Sequence, residues 1–524
     1  MGELPRAESS GTSCTEPMIL QEGKAKLRLD KPVFYNPVQE FNRDLTVSVL
    51  REFVKCRRNG VSDETDSEEP KNKKVKLMKE EKDDSVRILD ALSATGLRAL
   101  RFAQEVEHVD FVLANDFSEN AVQIIKDHVV LNGLENKVIA NFGDATETMM
   151  NHRSINKRFH AVDLDPYGSA TIFLDSAVQC VAENGILMVT CTDMAVLCGN
   201  TPETCYNKYG STTVRMKCCH ELALRILLRS IDSHANRYCR YIEPLLSISV
   251  DFYVRVFVRV HTGARIAKES GTKVGNVLVC SGCHSMEITP ILRKTKDEIS
   301  LKFYASIVRQ TLMGAENKCM HCGSSVHQAG PIYTGPIHSR PFVEAILNSI
   351  ENTPEEERLG THNRLLGVLT NVSEELDVPL YYEHDQLFNV VKCSVPKLIA
   401  VKSAILNAGF KVSGSHCNPR ALKTDAPTSF LWDICRFVAK EANVLADRHD
   451  EKAPGRKILS EEITSEVNFQ LHPKATFQTK TDQMVRFQCN KGKNWGPKAK
   501  AKGSVNSTHA SFYVRKEIPK SSVE

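Results

Sequence analysis

The sequence predicts an α/β fold: a mainly parallel, doubly wound sheet with an antiparallel edge strand, followed by a smaller α+β region. Three observations predict it. From Val86 to Thr192 short apolar runs alternate with amphipathic helical segments, the pattern of βα units in a parallel sheet. An acid follows each of the first four runs, Asp90, Asp116, Asp144 and Asp165 in turn. Open α/β sheets bind their ligands at that edge. Leu246–Val260 then alternates strictly, with Phe252, Val254, Val256, Val258 and Val260 on one face and Arg255 and Arg259 on the other, as a half-exposed antiparallel strand does.

The chain of 524 residues is too long for one core. It divides by composition into a loosely ordered stretch at 1–30, the α/β domain at 31–262, a second domain at 263–475 and a basic tail at 476–524. With 68 basic and 64 acidic side chains, a net charge of +4 says little about partners. No apolar run is long enough to span a bilayer, and the N-terminal residues carry no targeting pattern. The expectation is a soluble intracellular protein without a membrane partner, whose 17 cysteines are reduced thiols unless they bind metal. No obligate protein partner is evident in the sequence.

Taken in order, Leu45, Val49, Leu50 and Phe53 lie on one face of a helix opened by Arg43 and Asp44 and running to Cys56. Residues 60–85 are almost wholly charged and read as a disordered insertion. Within them Pro70–Lys76 (PKNKKVK) has the pattern of a nuclear-import signal, so the nucleus is the expected location, with the cytoplasm also open. The alternating region follows: strands at Val86–Leu92, Val109–Asn115, Val138–Phe142, the run at His160 and Gly185–Thr192, with helices at Leu97–Val106, Glu119–Leu131 and Thr213–Ser230. Beyond Val260 the expected elements are helices at Phe342–Ile350, Thr361–Val372 and Lys397–Ala408 and a strand at Leu387–Lys392.

The loops after these strands carry the chemistry. Asp90-Ala-Leu-Ser-Ala-Thr-Gly96 has one glycine and small residues around it, so a ligand can approach its backbone, but it lacks the tight turn that a pyrophosphate needs. That favours a nucleoside without phosphates, such as S-adenosylmethionine. Asp116 lies about 20–26 residues beyond the first loop's acid, the spacing of an acid that holds ribose hydroxyls. In HAVDLDPYGSA (His160–Ala170) the strand ends in Asp165, Pro166 and Tyr167. A carboxylate, a carbonyl and a flat ring suit an exocyclic amine on a planar base, two acceptors for its N–H bonds and a surface for stacking. An Asp that merely caps the next helix is the competing reading of the tripeptide taken alone.

DALSATGLRALRFA (Asp90–Ala103), the AND of Ala114–Asp116, GDA (Gly143–Ala145), DLDPYGSA (Asp163–Ala170), FYNP, NRDL and SGSHCNPRALKTDAP (Ser413–Pro427) together resemble the tRNA guanosine-26 N2,N2-dimethyltransferase family, over a span from about Phe34 to beyond Thr424. The resemblance implies a Rossmann-like class I methyltransferase domain that uses S-adenosyl-L-methionine on tRNA. Carried over by position, Arg43, Arg98 and, more loosely, Arg101 contact the cofactor beside Asp90. Asp116 takes the ribose, Asp144 and Ala145 the adenine, and Asp165, Pro166 and Tyr167 the guanine. The charged insertion, and Tyr167 where a phenylalanine is common, depart from the family pattern without removing a needed group.

Cys280-Ser-Gly-Cys283 and Cys319-Met-His-Cys322 are two CxxC knuckles with 35 residues between the inner cysteines. Each can place two thiolates on one tetrahedral zinc, and the pair makes a closed structural site. A redox pair or metal-free buried thiols are the alternatives. The 341–421 region is expected to form a ferredoxin-like or winged layer that touches RNA, largely by resemblance. From Met484 to Lys516 there is no acid, and Arg486, Lys491, Lys493, Lys498, Lys500, Lys502, Arg515 and Lys516 surround Phe487 and Trp495, which suits phosphate neutralisation and base stacking. Three functions compete: an enzyme that methylates guanosine N2 at position 26 of tRNA once and then again, a non-catalytic zinc-containing RNA chaperone on a lapsed methyltransferase fold, and an NAD-dependent dehydrogenase, which the first loop disfavours. The full DPYG loop favours the enzyme.

Overall fold

The computed structural model describes residues 19–28, 35–60, 85–296, 301–307, 310–476 and 484–488. The import pattern at Pro70–Lys76 and the tail lysines from Lys491 onward lie outside them. The first elements are an antiparallel hairpin, β1 (Ile19–Glu22) and β2 (Ala25–Arg28). Loose order was the expectation here, but Ala25 and Leu27 enter the core and the backbone N–H groups of Lys26 and Arg28 donate to Asn132 and His128. Helix α1 (Glu40–Arg58) follows, with Leu45, Val49, Leu50 and Phe53 buried as their spacing requires.

Next come β3 (Val86–Asp90), α2 (Leu97–Glu105), β4 (Val109–Asp116), α3 (Glu119–Leu131), β5 (Val138–Phe142), α4 (Ala145–Asn151), β6 (Phe159–Leu164), α5 (Leu174–Cys180), β7 (Val181–Cys191), α6 (Met194–Leu197), α7 (Pro202–Tyr209), α8 (Cys219–Asn236), β8 (Arg240–Val250) and β9 (Tyr253–Thr262). The strands form one seven-stranded sheet in the order β5-β4-β3-β6-β7-β9-β8. β3 to β7 pair in parallel, and β9 is antiparallel to both of its neighbours. One apolar cluster fills the side covered by α4, α5 and α8, and a second the side covered by α1, α2 and α3.

Two expectations change here. The alternating run Leu246–Val260 is not one strand but the two arms of a hairpin, turning at Asp251 (φ 56°) and Phe252. The antiparallel strand β9 therefore sits one place in from the edge, and Arg255 and Arg259 are buried rather than solvated. The eighth helix starts at Cys219, not Thr213, because the hydroxyls of Ser211, Thr212 and Thr213 are drawn into bonds to the carbonyls of Pro331, Gly330 and Leu197.

The rest of the chain comprises α9 (Ala264–Glu269), β10 (Val274–Cys280), β11 (Met286–Pro290), β12 (Leu292–Lys296), β13 (Leu301–Ala305), β14 (Val326–Tyr333), α10 (Arg340–Glu351), α11 (His362–Ser373), β15 (Tyr382–Glu383), α12 (His384–Val390), α13 (Leu398–Asn407), β16 (Val412–Ser415), β17 (Asn418–Thr424), α14 (Thr428–Glu441) and α15 (Pro454–Ser460). Its sheets are small and antiparallel: β11-β10-β14, β12-β13 and β15-β17-β16. Among the described residues the β15-β17-β16 layer has three strands, one short of a ferredoxin-like unit. Leu387–Lys392, expected as a strand, lies largely in α12, where Leu387 and Phe388 fill a core with α13 and α14. The change of composition at Val260 is no break in packing, since α10 and α11 complete the α1 layer and Val277, Val279 and Ile332 join the α8 layer. Among the described residues no helix is long and apolar enough to cross a membrane. Arg486, read as a phosphate contact, instead pairs with Glu374 at 2.7 Å while Val485 packs on α11.

Candidate active site

The parallel strands end together, so the loops after β3, β4, β5 and β6 meet at one edge. Register places Asp90 opposite Asp163 on neighbouring strands. Asp90 is buried, accepts a bond from Ser93 Oγ at 2.5 Å, and is pushed well above the ordinary carboxylate range by burial and by the Asp163 charge. The loop turns through Ala94 (φ 50°) and Gly96 (φ 79°) into α2. At Gly96 a side chain would meet Ile125 at 3.3 Å, so the glycine permits both the turn and the close packing of α3.

Asp116 binds this loop to the end of β4. Its Oδ2 accepts from Ala94 N–H and its Oδ1 from Ser118 N–H, both at 2.9 Å. The Phe117 N–H also points at this carboxylate, which keeps acceptor capacity for a ligand donor. Burial raises the pKa of Asp116, against the pull of those backbone N–H groups. Asp144 caps α4 through bonds from the Thr146 and Glu147 N–H groups, with Ala145 buried behind it. Phe117 and Phe142, which sequence reasoning passed over, stand half-exposed beside Asp116 and Asp144. Aromatics next to the acids at the ends of β4 and β5 were the available signal for a planar base.

Asp165 follows β6 and is held from behind. Arg98, at the start of α2, donates to Asp165 Oδ2 and, at 3.3 Å, to Asp163 Oδ2. Arg255 on β9 donates to Asp163 Oδ1 at 2.8 Å and to Thr190 Oγ1 at 2.5 Å. Burial alone would raise the pKa of Asp165; the Arg98 and Arg255 guanidiniums overcome it and hold the carboxyl below its usual range. The side chain is 22% exposed, enough for one face to meet a ligand. Pro166 and Tyr167 continue outward, and Tyr167 is 46% exposed, with its hydroxyl pushed up to about 12 by partial burial and by the Asp165 and Asp116 charges. Gly168 (φ 82°) reverses the chain, and Gly168 and Thr192 exchange bonds of 2.9 and 2.8 Å that fasten the loop to the end of β7.

Not every predicted contact residue reaches this edge. Arg101 is fully buried and spends its guanidinium on Glu22, Asp44 and Glu105, at 2.9, 2.7 and 2.9 Å. It is a structural link from α2 to the N-terminal hairpin, so of the two α2 arginines only Arg98 stands at the site. Arg43 makes a two-point pair with Glu22 at 2.6 and 2.5 Å, beside Tyr35. Both arrangements depend on Glu22, which no sequence pattern singled out.

The four knuckle cysteines do converge. Cys280, Cys283, Cys319 and Cys322 are buried, and their sulfurs lie within 4.8 Å of one another, Cys280 and Cys322 at 3.3 Å and Cys283 and Cys319 at 3.6 Å. Four thiolates at about 2.3 Å from one tetrahedral zinc stand about 3.8 Å apart. The N–H groups of Gly282 and Cys283 point at Cys280 Sγ from 3.4 and 3.5 Å, as they would to a thiolate ligand. Trp432 donates to Ser285, which in turn contacts Cys283 Sγ, so the cluster is built into the core under α14.

Residues 15–436 match the family described as TRM, N2,N2-dimethylguanosine tRNA methyltransferase. The chain is 64% identical over 503 residues to a Caenorhabditis elegans tRNA (guanine(26)-N(2))-dimethyltransferase, covering 95% of each. It is 41% identical over 529 residues to the human protein of that name, covering 95% of this chain and 80% of the other. Among solved structures it is similar to Trm1 from Pyrococcus horikoshii in complex with S-adenosyl-L-methionine, at 29% identity and a TM-score of 0.62, covering 79% of this chain and 98% of that one.

Proposed function

The chain belongs to the N2,N2-dimethylguanosine tRNA methyltransferase family, and we infer from this that it transfers methyl groups from S-adenosyl-L-methionine to the exocyclic N2 of guanosine 26 in tRNA, giving N2-methyl- and then N2,N2-dimethylguanosine. The observation that carries the chemistry is an Asp165 carboxylate kept ionised by Arg98 at the strand edge, next to an exposed aromatic ring. The cofactor fits the same edge: Asp116 offers acceptors for a ribose, Phe117 and Phe142 offer apolar faces for an adenine, and Asp144 and Ala145 lie beside them. When bound, it supplies an electrophilic methyl group.

The protein's own residues do the rest. The guanine amine is a poor nucleophile because its lone pair is delocalised into the ring. Asp165, an acceptor with no proton to give, takes one N–H bond, and the Pro166 carbonyl takes the other. Directing both N–H bonds favours the pyramidal nitrogen that attack requires, and holding the amine in place supplies most of the acceleration. Tyr167 stacks on the base, which has to leave its own stack to arrive there. Because Asp165 has a depressed pKa it orients the amine rather than removing its proton beforehand. Once the nitrogen has become cationic its proton passes to the Asp165 carboxylate that holds it and from there to water. The donor count falls from two to one to none as the methyls are added, so the dimethylated base has no N–H left to hold it.

A structural zinc on Cys280, Cys283, Cys319 and Cys322 is part of the proposal, supported by the sulfur spacing and the N–H groups aimed at Cys280. It would tie β10 to the 319–322 loop, far from any reacting atom in sequence and in role. The functional reading is tested by incubating the protein with the cofactor and transcribed tRNA and analysing nucleosides by mass spectrometry. Mono- and dimethylguanosine that vanish when guanosine 26 is replaced by adenosine are expected; tRNA left unmethylated would overturn the reading.

A further inference from the structure

A second soft-metal cluster lies apart from the four-cysteine knuckles. Cys198, Cys219 and His220 bring two sulfurs and an imidazole nitrogen within 4.8 Å of one another. All three side chains are half-buried, reachable from solvent yet fixed by packing. They come from two elements: Cys198 closes α6, with its N–H donating to the Met194 carbonyl at 2.8 Å, and Cys219 and His220 open α8. We propose that Cys198, Cys219 and His220 bind one zinc ion, a site distinct from the four-cysteine cluster.

The backbone is arranged for it. Gly199 has φ 96°, and a side chain there would stand 2.6 Å from the backbone of Val214 and Arg215. Only glycine lets the end of α6 lie against the segment that leads into Cys219, and a bond of 3.0 Å from Thr213 Oγ1 to the Leu197 carbonyl fixes the approach. The Cys219 thiolate also gains from its place at the start of an 18-residue helix, where the unsatisfied N–H groups favour negative charge. Two sulfurs and one imidazole match the ligand preference of zinc, with water or another thiol in the fourth position.

The position gives the ion a role. Asp193, just ahead of α6, accepts a bond of 2.6 Å from Tyr209, whose hydroxyl accepts one of 2.9 Å from Ser169 in the DPYG loop. Thr192 holds Gly168 of the same loop. A zinc joining the end of α6 to the start of α8 clamps the segment against which the base-binding loop rests. Cys198, Cys219 and His220 thus act as positioning residues, touching neither substrate nor cofactor.

The test is the zinc content of full-length protein purified without chelator, wild type beside Cys198→Ser/Cys219→Ser, both checked by circular dichroism to be folded. The variant should hold one zinc fewer per chain, whatever the four-cysteine cluster contributes to both. A second reading uses the wild type alone: Cys198 and Cys219 should resist maleimide and become labelled when a chelator is added, as followed by peptide mass spectrometry. Equal zinc in the two proteins, immediate labelling of both thiols, or a Cys198–Cys219 disulfide in the intact mass would overturn the proposal.

Discussion

Replacing Arg98 with glutamine removes the cation that faces Asp165 while keeping a polar side chain of similar length. Asp165 then loses a charge-assisted hydrogen bond, and Asp163 keeps Arg255 as its partner. Such a bond contributes about 1.5–3 kcal/mol in favour of the ionised carboxylate, so its loss raises the pKa of the carboxyl. The sign is fixed by the direction of the native shift. Asp165 is depressed in the wild type, so the active, ionised form is retained until the pH falls below the usual carboxylate range. In Arg98→Gln the acid limb should move to higher pH, with activity lost while the wild type still turns over. The assay is kcat/KM for tRNA against pH at saturating cofactor, beside cofactor affinity by calorimetry. An acid limb in its original place, together with a large loss of cofactor affinity, would refute the reasoning and return Arg98 to the cofactor.

Three further outcomes are expected. Arg101→Gln leaves the buried Asp44 and Glu105 without their cation, Glu22 keeping Arg43, so stability should fall by about 3–5 kcal/mol in chemical unfolding, with cofactor affinity per folded molecule unchanged; a stable variant with weakened cofactor binding would place Arg101 at the site after all. Neutralising Lys491, Lys493, Lys498, Lys500 and Lys502 should weaken tRNA binding and flatten its salt dependence without changing the base methylated, and an unaltered salt slope would remove the tail from the binding surface. We also propose nuclear import through Lys71, Lys73, Lys74 and Lys76, so alanine at all four should release a fluorescent fusion into the cytoplasm; retention in the nucleus would assign import to another signal.

What the sequence made legible was local. Alternating apolar runs and terminal acids are short-range patterns, and they placed β3 to β7, the helices α2 and α3 and the loop at Asp165, whereas the seven-residue helices α4 and α5 went unread. The spacing within each knuckle placed the cysteines. What stayed hidden depended on partners far along the chain. Arg255 alternates with valines and so reads as a solvated face, yet its partner Asp163 lies 92 residues earlier and both faces of β9 are covered. Arg43 and Arg101 read as ligand contacts, and the ion pairs that Glu22 makes with both come from a hairpin whose four-residue strands are too short to announce themselves. The run at Leu387–Lys392 is apolar and contains adjacent valines, which suits either element, and the core between α13 and α14 settles it as a helix.

The central claim is that the Asp165 carboxylate orients the guanine amine in the transition state. Single-turnover methylation of tRNA by Asp165→Ala, with cofactor and tRNA both saturating and cofactor affinity measured in parallel, tests it most directly. The rate should fall by about 10²–10³, the loss that follows removal of one oriented polar contact, while cofactor affinity stays near that of the wild type because Asp116 and Asp144 lie after other strands. Asp165→Asn, which turns a donor toward the amine, should be nearly as slow. Turnover close to that of the wild type in Asp165→Ala would contradict the assignment.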